Sequence, residues 1–244
     1  MITREISMAM AIMENHMLIP LLPRFNIRMG FGEETVEEVC IKYAVNTDFF
    51  LEICNSYIYE NYTLQNDLSL FSLGTMIDYL KNTHHYYTEK ALPKLEKQIH
   101  SLLSDSDLSN EKKNLVSTFF NDYKQDFLNH IQKEEVEILP YILELEKQYN
   151  KSQADREFID KINEYSIREF AREHERLESS LTNLSKLIIK YLPPFKNWDL
   201  CNQILIDLSG LVKDLVDHAN MEDKVLIPRV AELEQALLLN NSDE

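Results

Sequence analysis

From Val116 onward the chain sets its apolar side chains at alternating three- and four-residue steps: Val116, Phe120, Tyr123, Phe127, then Ile138, Tyr141 and Leu145. This is the period of an amphipathic helix, and His130 and Glu134 fall inside the stripe rather than beside it. A second segment repeats the pattern with Ile204, Leu208, Leu211, Leu215, His218, Glu222 and Val225. A third reads Phe170, His174, Leu177, Leu181, Leu184 and Ile188, with Glu178 on its flank, and a fourth reads Leu70, Leu73, Ile77, Leu80, Leu95 and Ile99. The pattern predicts four long helices from Leu68, broken at Ser104 to Asn110, at Tyr149 to Ala154 and at Leu192 to Asn197, where Pro193 and Pro194 stand. Short breaks make consecutive helices antiparallel, so the expected architecture is an up-down-up-down four-helix bundle over residues 68–240.

The first sixty or so residues read differently. Pro20, Pro23 and Gly30-Phe31-Gly32 cut them into short stretches, with helices predicted over Glu33 to Val45 and, behind the cap Thr47, over Asp48 to Tyr62. A small helical N-terminal domain over residues 1–62 is expected, joined by a linker at Asn61 to Asp67.

Composition supports an all-α chain and narrows its partners. Four glycines and seven prolines in 244 residues are too few for a sheet protein rich in tight turns. A net charge of -16 argues against nucleic acid and anionic membranes, whose binding rests on neutralisation by Lys and Arg. Cys40, Cys54 and Cys201 are too scattered for a disulfide framework or a cysteine-based zinc site. No apolar run reaches the length of about 18 residues that a membrane span needs. The stretch Met8 to Leu22 is interrupted by Glu14, Asn15, His16 and Pro20 and lacks a basic leader. A soluble cytoplasmic protein is expected.

The chemistry lies in four His-x-x-x-Glu pairs, His85/Glu89, His130/Glu134, His174/Glu178 and His218/Glu222, whose histidines stand 45, 44 and 44 residues apart. On a helix, positions i and i+4 share a face, so imidazole and carboxylate can point at one spot. Helices of equal length in an antiparallel bundle bring four such spots to one level. A single buried histidine is ordinarily a hydrogen-bonded core residue. Four at one level with two inward glutamates are a costly polar core unless a cation compensates them. Imidazole and carboxylate suit iron, manganese or zinc, and two bridging carboxylates suit two ions rather than one. A histidine-rich di-iron centre fits best, with Glu134 and Glu222 as bridges, a solvent-derived oxo or hydroxo bridge and an open position for a small molecule.

The segments His85 to Pro93 (HYYTEKALP), His130 to Pro140 (HIQKEEVEILP), Arg172 to Leu177 (REHERL) and His218 to Pro228 (HANMEDKVLIP) resemble the hemerythrin-like di-iron proteins, and specifically the bacterial repair-of-iron-centres family. The second and fourth are the specific ones: histidine, glutamate four later, proline six beyond. The resemblance covers Leu68 to about Leu239 and reaches faintly into Pro20 to Cys40. It implies two iron ions, with manganese or zinc ranked behind, held by His85, His130, Glu134, His174, His218 and Glu222. It also implies a role in the nitrosative and oxidative stress response, in which the protein binds nitric oxide or dioxygen and repairs, or supplies iron to, damaged iron-sulfur clusters. The alternative is a reversible carrier or sensor of either gas. The family's N-terminal domain carries adjacent cysteines before a glycine, whereas this chain has Gly30-Phe31-Gly32 at that turn.

In the first long helix the apolar phase puts His84 nearer the centre of the face, while the family pattern read back from Leu92-Pro93 selects His85. Glu89 reads as a solvated helix charge, and Glu178 as a further ligand or a neighbour of one. Tyr86, Tyr87, Tyr123, Phe127 and Phe170 read first as core packing and second as walls of the site. His16 and His100 have no carboxylate four residues on and are expected outside it.

Overall fold

The computed structural model describes residues 1–59, 62, 71–151, 155–164, 167, 174–192 and 195–240. It is all-α, as the periodicity predicts: helices account for the regular structure, and among the described residues there is no strand. The chain forms two compact units, Met1–Tyr86 and Tyr87–Glu244. The expected linker lies almost wholly outside the described residues.

In the first unit each short helix has a local reason to begin. Helix α1 (Met8–Glu14) starts where the Ser7 hydroxyl accepts from the Met10 amide at 3.2 Å. Helix α2 (Val36–Lys42) starts at a capping box, in which Thr35 accepts from the Glu38 amide and Glu38 accepts from the Thr35 amide. It is shorter than the sequence pattern suggests because Ala44 takes a left-handed φ of 55°. Helix α3 (Thr47–Ile58) is capped by Asn46 rather than by the expected Thr47. The predicted turn is present, with Gly30 at φ 114° and Gly32 at φ 57°, values that a side chain would strain. Phe25, Phe49, Phe50 and Tyr79 interlock at the centre, which ties helix α4 (Leu73–Tyr86) to the 3-10 turn Leu22–Phe25. Asn82 Nδ2 donates to the Arg24 carbonyl at 2.7 Å and strengthens that tie.

The second unit is the bundle. Its helices are α5 (Leu92–Ser104), α6 (Asn110–Lys133), α7 (Leu139–Tyr149), α8 (Arg156–Glu164), α9 (His174–Tyr191), α10 (Trp198–Met221) and α11 (Ile227–Asn240). Helix α5 packs against α6 and α10, and α9 packs against the same two, closing a ring of four. At the far end α11 lies against α7 and α8. Ion pairs tie the ring: Lys124 to Glu96 at 2.7 Å, and Lys94 to Asp207 at 2.6 Å. Lys196 meets Asp107 at 2.6 Å, which sets the α5–α6 and α9–α10 connections at one end, as alternating helix directions require.

Among the described residues three π-helical turns interrupt the columns: Tyr87–Ala91 before α5, Glu134–Ile138 between α6 and α7, and Glu222–Leu226 between α10 and α11. Each opens six residues before a proline, Pro93, Pro140 and Pro228. A proline inside a helix has no amide to donate and crowds the carbonyl four residues back. The wider turn admits it: the amides of Leu139 and Ile227 reach back to the carbonyls of Glu134 and Glu222, five residues away. Among the described residues no helix is long and apolar enough to cross a membrane.

Candidate metal centre

Glu134 and Glu222, the first residues of two π turns, are 1% and 2% exposed. Both sit in apolar stripes, one between Ile131 and Ile138, the other between Met221 and Leu226, so folding the stripes inward buries the carboxylates with them. His218, one turn before Glu222, is buried too. These three residues offer ligand atoms that lie within 4.8 Å of one another. Each glutamate also meets its own histidine: His130 Nε2 is 2.9 Å from Glu134 Oε1, and His218 Nε2 is 3.3 Å from Glu222 Oε1. The i, i+4 arithmetic of the sequence is therefore realised in the second and fourth columns.

In the first column the two candidate histidines differ in burial. His85 is exposed, whereas His84 is fully buried with Leu73, Met76, Ile77, Leu80 and Thr83. Leu73, Ile77 and Leu80 lead at helical steps to His84, the position that apolar phase favoured. Glu89 is exposed, as a solvated charge should be. In the third column His174 begins α9, but its side chain and that of Glu178 lie outside the described residues, as does Phe170. His16 and His100 are exposed.

Aromatic rings wall the cluster. Tyr87 is fully buried, with its ring centroid 5.7 Å from that of His218 and 5.7 Å from that of Phe127, both edge-on. Tyr123 stacks on Phe127 at 5.9 Å. Packing and a wall to the site are thus the same role here. An apolar shell keeps water out and lowers the local dielectric, which strengthens every charge interaction inside it.

Two buried carboxylates beside imidazole nitrogens fit a transition-metal centre. The donors are hard oxygen and borderline nitrogen, the set iron, manganese and zinc accept, and their converging negative charge is costly to bury without cations. The sequence comparisons agree with this chemistry. The model of the hemerythrin HHE cation binding domain family matches residues 75–230, which contain all these donors. No curated protein sequence matches the chain.

Proposed function

The chain belongs to the hemerythrin HHE cation-binding family, and we propose that it is a di-iron protein of the nitrosative and oxidative stress response, binding nitric oxide or dioxygen and restoring damaged iron-sulfur clusters. The observation that supports this reading is the buried convergence of Glu134, Glu222 and His218. The proposed donor set is His130, Glu134, His218 and Glu222, with His174 from the third column and, as the sequence reading has it, one histidine of the first. Iron ranks ahead of manganese and zinc because the proposed role, binding nitric oxide or dioxygen, calls for a redox-active ion, and imidazole with carboxylate can hold it.

An iron pair held there supplies a place for a diatomic gas and electrons to share with it. The rest of the chemistry belongs to the chain. Glu134 and Glu222 place two carboxylates together in the buried interior, where a cation would compensate them. His130 and His218 stand beside them, each one turn before its carboxylate, so each column presents a nitrogen and an oxygen together. Tyr87 and Phe127 set buried aromatic rings beside His218. Six protein donors would leave room on a pair of iron ions for a gas to bind without displacing a side chain.

Damaged iron-sulfur proteins are the proposed clients, and the -16 charge weighs against nucleic acid and anionic membranes as partners. Three buried free cysteines agree with a reducing, cytoplasmic setting.

Metal analysis of protein from iron-replete cells tests the centre, with His130→Ala and His218→Ala alongside. About two irons per chain, lost in both variants, is the expected result; full retention in both removes the site. Anaerobic nitric oxide, with timed nitrous oxide detection and a cluster-repair assay, then separates the roles. Gas binding with neither product nor repair would leave a reversible carrier.

A further inference from the structure

We propose that Tyr87 is a positioning residue for His218, fixing both the backbone turn and the ring that the fourth column presents to metal; this rests on the metal-centre reading above. Tyr87 opens the π turn Tyr87–Ala91, six residues before Pro93. In the second and fourth columns that place is held by Glu134 and Glu222, before Pro140 and Pro228. The first column therefore puts a phenol where the second and fourth put a carboxylate.

The phenol makes two contacts with the fourth column. Its hydroxyl donates to the Asp214 backbone carbonyl at 3.3 Å. Asp214 is four residues before His218 in α10, so this carbonyl is also the helical acceptor of the His218 amide. Its ring meets the imidazole edge-on, 5.7 Å between centroids and 81° between planes. The imidazole is thus bounded by the Tyr87 ring and by Glu222 Oε1, 3.3 Å from its Nε2. Phe127 backs the tyrosine on another side, so the clamp is itself held. A ligand whose rotamer is set before metal arrives loses less freedom on binding, and groups that orient a ligand in this way typically change metal affinity by about 10- to 100-fold.

The test uses full-length, metal-stripped protein and cobalt(II) alone as the probe, read by its visible absorption. Alongside it, nitrogen-labelled histidine resonances are recorded on the metal-free protein, with His218 assigned through His218→Ala. Tyr87→Leu removes ring and hydroxyl, Tyr87→Phe removes the hydroxyl only, and Tyr141→Phe is the control, since it deletes another buried phenol bond, to Glu234 at 2.6 Å. We expect Tyr87→Leu to weaken cobalt binding by about 10-fold or more and to shift or broaden the metal-free His218 ring signal. Tyr87→Phe should fall between it and wild type, and Tyr141→Phe should change neither readout. A Tyr87→Leu protein of wild-type helicity that binds cobalt within about twofold of wild type, or leaves the His218 signal unmoved, would overturn the proposal. Wild-type protein taking up no cobalt would overturn the metal centre instead, and the metal-free ring signal would still decide the part of Tyr87.

Discussion

Glu134 and Glu222 occupy the same place in the same distortion: each opens a five-residue π turn, and the carbonyl of each accepts from the amide five residues on. The prolines that enforce the turns stand six residues after each glutamate. A turn with one extra residue changes the phase of everything beyond it, so these prolines decide which face of α6 and α10 is continuous with the core face of α7 and α11. The candidate metal-binding carboxylates sit at the pivots.

Restoring a regular turn should therefore trade function for stability. Pro228→Ala returns an amide that can donate to the Lys224 carbonyl, relieving a penalty of up to about 3 kcal/mol in a helix interior. The expected outcome is a metal-free protein at least as stable as wild type in urea, with reduced iron content after expression. Iron content equal to wild type would show that the proline does not set the position of Glu222.

The buried carboxylates should themselves destabilise the metal-free protein. At 1% and 2% exposure they carry a desolvation cost that metal would offset. Glu134→Gln and Glu222→Gln should each raise metal-free stability by about 1 kcal/mol while lowering iron binding. Urea melts of stripped protein, paired with metal analysis, check both signs; a loss of stability in the absence of metal would contradict the reading.

His84 and His85 make a direct test of helical phase. His84→Ala should lose iron to the same extent as His218→Ala, whereas His85→Ala, at an exposed position, should keep the wild-type content and change stability by no more than about 0.5 kcal/mol. The reverse result would restore the family-pattern assignment.

Asp207 links α10 to α5 and gives the fold a definite acid dependence. Burial alone would raise its pKa, but hydrogen bonds from Lys94, Gln98 and Gln203, with the Lys94 charge, overcome this and hold it below the ordinary aspartate value. A depressed folded pKa favours the native state above the unfolded value, and that contribution is lost as pH falls through the folded one. Asp207→Asn should thus cost about 1–2 kcal/mol at pH 7, narrowing towards zero as pH drops below about 4. Urea melts of both proteins across that range measure it.

Thiol chemistry should be closed to the native protein. Burial pushes the Cys40 thiol up to about 12, and it also raises Cys54 and Cys201. At pH 7.5 an aromatic disulfide reagent should leave all three unmodified, then titrate three after unfolding. Rapid labelling of the folded chain would reopen a role for cysteine.

Much of this was legible along the chain, for a local reason. A stripe such as Phe120, Tyr123, Phe127, His130 and Glu134 states helix, buried face and buried polar pair together, because helical period and apolar burial act on residues close in sequence. The cap before α3 was read to within one residue for the same reason. What the sequence alone could not determine is phase across a defect and contact across columns. In the first column apolar phase favoured His84 and the family pattern favoured His85, and burial separates the two, with His84 buried and His85 exposed. Tyr87 looked like one aromatic among several, and its bond to Asp214 joins residues 127 positions apart. Spacing along one helix is set by backbone geometry and can be counted; the meeting of one helix with another depends on how whole faces pack, and that exists only once the bundle has closed.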